Sequence, residues 1–333
     1  PDKRPVYQST AVVDLLLAAN DEPLYPHFLI LDEMNLSHVE RYFADFLSAM
    51  ESRTGRIQFH NEGPQNDDGF RLPRFDGDPI GVPRSIVYPK NLFVMGTVNI
   101  DETTYMFSPK VLDRAHVIEF VVDRDDIASF LDSPTVPEPP SQASEEQAEA
   151  FLKLALDARE EGRLTKLPDP VRRDANEHLM NLLDLLQMGR FEFAYRTANE
   201  VQRYLRVCHH IAHERTAWTE GKALTLTERK RGESNWLSDL DDEILQKILP
   251  RLHGSRNRIG SLLGALTSYM HSGGIEQAKG YFPAEGSEIA ERSIGDPGFL
   301  ALSCKDAKFP RSFCKLKTMA RVLVEEQFVS FIC

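Results

Sequence analysis

Two carboxylates follow directly on four apolar residues where Phe28-Leu29-Ile30-Leu31 runs into Asp32-Glu33, within FLILDEMN. A continuously apolar run of this length suits a strand buried on both faces, as in a parallel sheet. Open α/β sheets bind ligands outside the carboxyl ends of their strands. An aspartate there can hold magnesium, directly or through water, beside nucleotide phosphates. A glutamate next to it can activate an attacking water. The competing interpretation is a buried strand that simply ends in a solvated acidic turn.

Two further stretches could join the same chemistry. NLFVMGTVN places an amide, Asn99, at the tip of a second apolar run, within reach of a γ-phosphate or its attacking water. Alternatively, Asn99 closes the strand through a local turn. SPKVLDRAHVIEF sets Arg114 between a short helix and another apolar run. An arginine at a subunit edge can stabilise a phosphoryl group in transfer on a neighbour; a surface salt bridge with Asp113 or Glu119 is the plainer alternative.

These residues need a scaffold, and the hydrophobic pattern supplies one. Residues 11–20 read as a short apolar helix. Ser37 and Glu40 have capping-box spacing ahead of Val39, Tyr42, Phe43, Phe46, Leu47 and Met50 at helical intervals. Residues 61–89 are rich in Gly, Pro and Asp and read as a hairpin or partly mobile loop. Leu92 to Met95 and the β-branched run Val117 to Val122 read as further strands. Three buried-type strands separated by helices or loops favour an α/β fold with a mostly parallel sheet.

Composition changes near Asp132, where SPTVPEPPSQASEEQ reads as a linker and residues 145–161 as an Ala/Glu-rich helix. Beyond it the strand signal fades. Helices are expected over 177–187, 197–214, 237–249 and 258–271, a loop over 272–297, and a last helix or strand over 322–332. The expected organisation is an α/β core over 1–131, a linker with an acidic helix over 132–175, and an α-helical domain over 176–333.

The chain has 333 residues and a formal net charge of −12. That balance argues against a protein devoted to gripping a phosphate backbone, which needs a basic footprint. Cys208, Cys304, Cys314 and Cys333 form no CxxC pair, so unpaired thiols in a reducing compartment are expected. No apolar run approaches the roughly 20 residues of a membrane span. A cytoplasmic location without membrane contact is therefore expected.

Taken in order, the three motifs resemble those of AAA+ NTPases of the McrB type, the motor subunits of modification-dependent restriction systems. FLILDEMN is similar to a Walker B strand, GTVN to a sensor-1 strand, and SPKVLDR to the segment that carries an arginine finger. The resemblance is specific from about Pro26 to Phe120. It implies a P-loop NTPase-like parallel sheet followed by a helical lid. It also implies Asp32 as the magnesium-site acid, Glu33 as catalytic base, Asn99 as sensor 1 and Arg114 as a finger acting on a neighbouring subunit. FAYRTANEVQRYL resembles the lid helix that presents a sensor-2 arginine, here Arg196; an i,i+4 pair between Arg196 and Glu200 is the alternative. The substrate implied is ATP or GTP with Mg2+. The implied assembly is a hexameric ring working with a nuclease of the McrC type, DNA being contacted mainly through other domains or that partner.

Two departures stand out. The family's run after the sensor asparagine carries an acidic residue and an arginine; here Glu102 takes the acidic place and Thr103 replaces the arginine. No G-x-x-x-x-G-K-[ST] occurs in the 333 residues, and GSRNRIGS lacks the lysine and the preceding strand. Because the chain opens at Pro1 rather than Met, that motif is expected upstream. Without it, a non-hydrolysing ring or scaffold subunit is the alternative, and so is a helical interaction protein whose strand motifs coincide by chance.

Other clusters are weaker. His209, His210 and His213 lie at helical spacing but are not HExxH. Trp218 and Trp236 flank Lys222, Arg229, Lys230 and Arg231, a solvated loop or a nucleic-acid contact. The acidic run Asp239 to Glu243 reads as the start of a helix.

Overall fold

A computed structural model describes residues 5–52, 55–64, 69–99, 107–122, 124–134, 140–160, 162–215, 235–283, 293–294 and 301–331. The architecture is mixed α/β, with small parallel and antiparallel sheets and many helices. Two compact units emerge: Pro1–Val111 with Thr135–Arg159, and Leu112–Pro134 with Glu160–Cys333. These divisions differ from the boundaries expected at 131 and 175, because segments on either side of the linker pack with opposite units.

In the first unit, α1 (Ala11–Asp21) begins where the Thr10 hydroxyl accepts the Val13 N–H, and it buries Leu16, Leu17 and Ala19. β1 (His27–Leu31) runs parallel to β6 (Leu92–Gly96), in register from His27 opposite Leu92 to Leu31 opposite Gly96. Asn91 fixes where β6 begins. Its buried amide donates toward the carbonyls of Ala19, Glu22 and Tyr25 at 2.8–3.0 Å, joining the end of α1 to the strands.

β1 is not buried on both faces as its composition suggests. Leu29 is buried, but Phe28 is 44% and Ile30 63% exposed. Among the described residues this sheet has two strands only, and the face that carries Phe28 and Ile30 is covered only in part.

The Ser37/Glu40 capping box does not form. A 3-10 turn over Met34–Leu36 follows β1, and His38 precedes α2 (Val39–Tyr42) without a side-chain cap; α3 (Ala44–Glu51) follows. Val39, Phe43 and Leu47 do reach the core. The Gly/Pro/Asp-rich excursion contains antiparallel ladders: β2 (Arg56–Gln58) with β5 (Ser85–Val87), and β3 (Arg71–Leu72) with β4 (Val82–Pro83).

After α4 (Pro109–Leu112) the chain passes into the second unit with α5 (Arg124–Asp132), then back to the first with α6 (Glu145–Asp157). A complete capping box between Ser144 and Gln147 starts α6. Its Phe151 packs on Phe28 and Phe93, with ring centroids 5.7 and 5.0 Å away.

The expected strand over Val117 to Val122 is not a strand. The segment is irregular, with Phe120 93% exposed, and its Val117 N–H donates to Gln246 O at 2.9 Å in the second unit. β-branched composition favours a pleated surface only where a neighbouring strand exists to pack against.

The second unit is helical. α7 (Asp169–Met188), α8 (Tyr195–Arg215) and α9 (Trp236–Glu243) are followed by a π-helical turn (Ile244–Ile248) and a 3-10 turn (Leu249–Arg251). Then come β7 (His253–Ser255), α10 (Arg256–Ser272), α11 (Ile275–Lys279), α12 (Pro310–Glu326) and β8 (Phe328–Ser330). β7 and β8 pair antiparallel. Leu182, Leu185, Leu205, Leu240, Leu266, Phe313 and Leu316 are among its fully buried core residues.

The acidic run 239–243 begins in the first turn of α9, as expected of a helix start, but it is buried and the cap is Asn235; the Asp241 carboxylate accepts the Arg311 and Ser312 N–H groups at the start of α12. Trp236 is core, buried against the His178 ring. Cys304 and Cys314 are joined in a disulfide, where unpaired thiols were expected; Cys208, half-buried in α8, is in no disulfide. Among the described residues, no helix is long and apolar enough to cross a membrane.

Candidate functional site

The parallel register of β1 and β6 brings the FLILDEMN and GTVN motifs to one strand end. Past the last pair the chains stay joined: Thr97 N–H donates to Leu31 O (2.9 Å) and Met34 N–H to Thr97 O (3.0 Å). At Gly96 the backbone lies against the Met34 side chain, so any larger residue there would have to displace the flexible end of that methionine.

Thr97 is the hub. Its hydroxyl donates to Asp32 Oδ1 and accepts the Glu33 N–H at 2.9 Å. Glu33 adopts left-handed backbone angles, φ 48° and ψ 47°. That conformation costs a non-glycine residue about 1–2 kcal/mol. It swings the Glu33 side chain out of strand alternation, and the Asn99 amide donates to Glu33 Oε1 at 2.8 Å. Asn35, buried beneath, donates from Nδ2 to the Asn99 main-chain oxygen at 3.1 Å, fixing the residue that meets Glu33.

Asp32, Glu33 and Asn99, expected from sequence to share a site, are thus drawn together. Thr97 and Asn35 were not among the expected site residues, although both lie inside the motifs. A short polar residue within an apolar strand run was the available signal.

The expected arginines lie in the second unit. Arg114 sits in a short irregular segment whose neighbours are all tied down. Lys247, itself buried, donates from Nζ to Asp113 O (2.9 Å) and Ala115 O (3.0 Å). Asp113 pairs with Arg251 at 2.8 Å, and Glu119 with Lys315 at 2.6 Å. Arg196 stands in the first turn of α8, where Glu200 pairs with Lys247.

Of the weaker candidates, His209 is buried in α8 and His210 Nδ1 lies 2.9 Å from Thr165 Oγ1. Among the described residues no group of three or more His, Cys, Asp or Glu could hold a metal ion. A groove of about 550 Å³ lined by Arg190, Arg258, Ser261 and Phe282 contains none of the expected residues. Glu102, Thr103, Trp218, Lys222, Arg229, Lys230, Arg231 and Cys333 lie outside the described residues.

A family model described as Domain of unknown function (DUF8727) matches residues 144–328, more than half of the chain. The chain belongs to this family. The DUF8727 match takes in α6 and the elements from α7 to α12, but neither β1 nor β6. No curated protein and no solved structure matches the chain.

Proposed function

We propose that the chain is the NTP-hydrolysing module of an AAA+ ring of the McrB type. The observation that carries this reading is the Asn99–Glu33 hydrogen bond at the carboxyl end of two parallel strands, with Asp32 beside it on Thr97. Glu33 takes a proton from the water that attacks the γ-phosphate in line. Asn99 holds the Glu33 carboxylate in place and offers its amide to the water or phosphate.

Asp32 suits a hydrated magnesium ion: it is exposed, and its carboxylate has Thr97 as its one hydrogen-bond partner among the described residues. Mg2+ is bound typically through one or two carboxylates plus substrate phosphates and retained waters. When bound, it neutralises charge on the β- and γ-phosphates of ATP or GTP. Arg114 then stabilises the transferring phosphoryl group on a neighbouring subunit, and Arg196 contacts the nucleotide of its own.

The ring, hexameric by resemblance, drives or licenses a nuclease of the McrC type, with DNA engaged through other domains or that partner. The reading places it in the cytoplasm. One observation favours a second reading: no G-x-x-x-x-G-K-[ST] occurs in the 333 residues, so a ring subunit without productive nucleotide binding is the alternative.

The deciding experiment measures ATP and GTP hydrolysis and nucleotide-dependent assembly of the full-length protein. Glu33→Gln abolishes turnover and spares assembly. Unchanged turnover in that variant removes Glu33 as the base, and wild-type protein that assembles without hydrolysing either nucleotide selects the scaffold.

A further inference from the structure

We propose that Lys247 is a positioning residue for Arg114 and couples it to the N-terminal part of α8, which carries Arg196. This rests on the reading of Arg114 as a residue that acts on a neighbouring subunit.

The two carbonyls that accept from Lys247 are those immediately before and after Arg114, so the ammonium grips the backbone on both sides of that residue. The third partner of the ammonium is Glu200 on α8. Two carbonyl hydrogen bonds and one ion pair thus compensate the charge of a fully buried Lys. Arg251 makes a second link of the same kind, pairing with Asp113 and donating to the hydroxyl of Thr197, the residue after Arg196, at 2.6 Å. Val117 N–H donates to Gln246 O, and His116 pairs with Glu243 at 3.1 Å. Residues 113, 115, 116 and 117 are therefore all tied to the stretch 243–251.

Stability alone does not call for this arrangement. A buried ion pair is often no more stabilising than apolar residues of similar size. The gripping residues Gln246 and Lys247 also lie in the π-helical turn, a rare geometry that concentrates at functional sites. Both features are accounted for if the purpose is geometric. They hold Arg114 in one orientation and make it follow α8, so that a shift of Arg196 on its own nucleotide is passed to the arginine offered to the next subunit.

Subunit mixing tests this in the full-length protein. Lys247→Met, alone and with Glu200→Gln so that no buried carboxylate is left unpaired, lowers kcat about 10- to 100-fold, as expected for a misplaced catalytic group. KM stays within about two-fold and assembly is retained. Glu33→Gln subunits are then titrated in. They do not turn over, but they present an intact Arg114, so turnover per Lys247→Met subunit rises several-fold. A defect confined to the subunit's own site or to its stability gains nothing from such neighbours. Arg114→Ala mixed with Glu33→Gln is the parallel case. Rescue of Arg114→Ala without rescue of either Lys247 variant overturns the positioning role. Failure to rescue Arg114→Ala overturns the trans-acting role beneath it.

Discussion

Asn99 donates its side-chain amide to Glu33 Oε1 across 2.8 Å, joining residues 66 apart in the chain. Neither motif implies that bond by itself. It exists because β1 and β6 are parallel neighbours in a register that ends both strands together. Each residue then turns the other from a solvated side chain into an oriented one.

The hub hydroxyl is the sharpest test of this arrangement. Thr97→Val keeps the β-branched shape but removes both the donor to Asp32 and the acceptor for the Glu33 N–H. NTP turnover in the full-length protein falls on the order of 10- to 100-fold. The fold is retained, with stability lowered by about 1 kcal/mol in urea titration. Wild-type turnover would mean that Thr97 does not hold the site together.

Glu33 should show a conflict between stability and activity. Its left-handed backbone is strained for glutamate and not for glycine. Glu33→Gly therefore raises unfolding stability by about 1 kcal/mol while eliminating hydrolysis. A glycine variant that is less stable than wild type would show that the carboxylate's bond to Asn99 outweighs the strain.

A buried histidine sets a pH dependence. Burial, followed by the nearby Lys308, pushes the His178 pKa down to about 4, with Asp174 opposing. Its neutral Nδ1 lies 2.6 Å from the Tyr269 hydroxyl, whose own pKa burial raises to about 12. A depressed folded-state pKa means that the unfolded chain binds more protons between pH 6.5 and 4. Stability is thus intact above pH 6.5 and lost as pH falls through that window, by about 2 kcal/mol at pH 5. His178→Gln removes this contribution, so the stability difference between pH 7 and pH 5, measured by urea unfolding, shrinks by that amount. Parallel curves for variant and wild type would refute it.

Asp241 is a helix cap at long range. Asp241→Ala leaves the Arg311 and Ser312 N–H groups without their acceptor at a buried helix start. The expected loss is about 2–3 kcal/mol in thermal or chemical unfolding, and Asp241→Asn recovers part of it by keeping one oxygen. Equal losses in the two variants would assign the effect to charge and not to capping.

The sequence alone determined much of the local order. Apolar periodicity located α3, α8, α10 and the two parallel strands, because burial period depends on neighbours a few residues away. It also pointed to Asp32, Glu33 and Asn99, since polar residues at the ends of apolar runs are visible without a partner. Only the tertiary structure decided the rest. Thr97 was unremarkable until β6 lay beside β1, and Lys247 in DDEILQKILP looks like any helix lysine until two carbonyls and a carboxylate from distant segments surround it. Val117 to Val122 has strand composition without a strand, because pairing depends on a neighbour that composition does not contain. The acidic run in α9 reads only as the start of a helix and turns out buried, because its cap and ion-pair partners Ser312 and Arg311 lie some seventy residues further on. Local pattern specifies which residues seek burial or polarity, whereas long-range packing selects the partners that satisfy them.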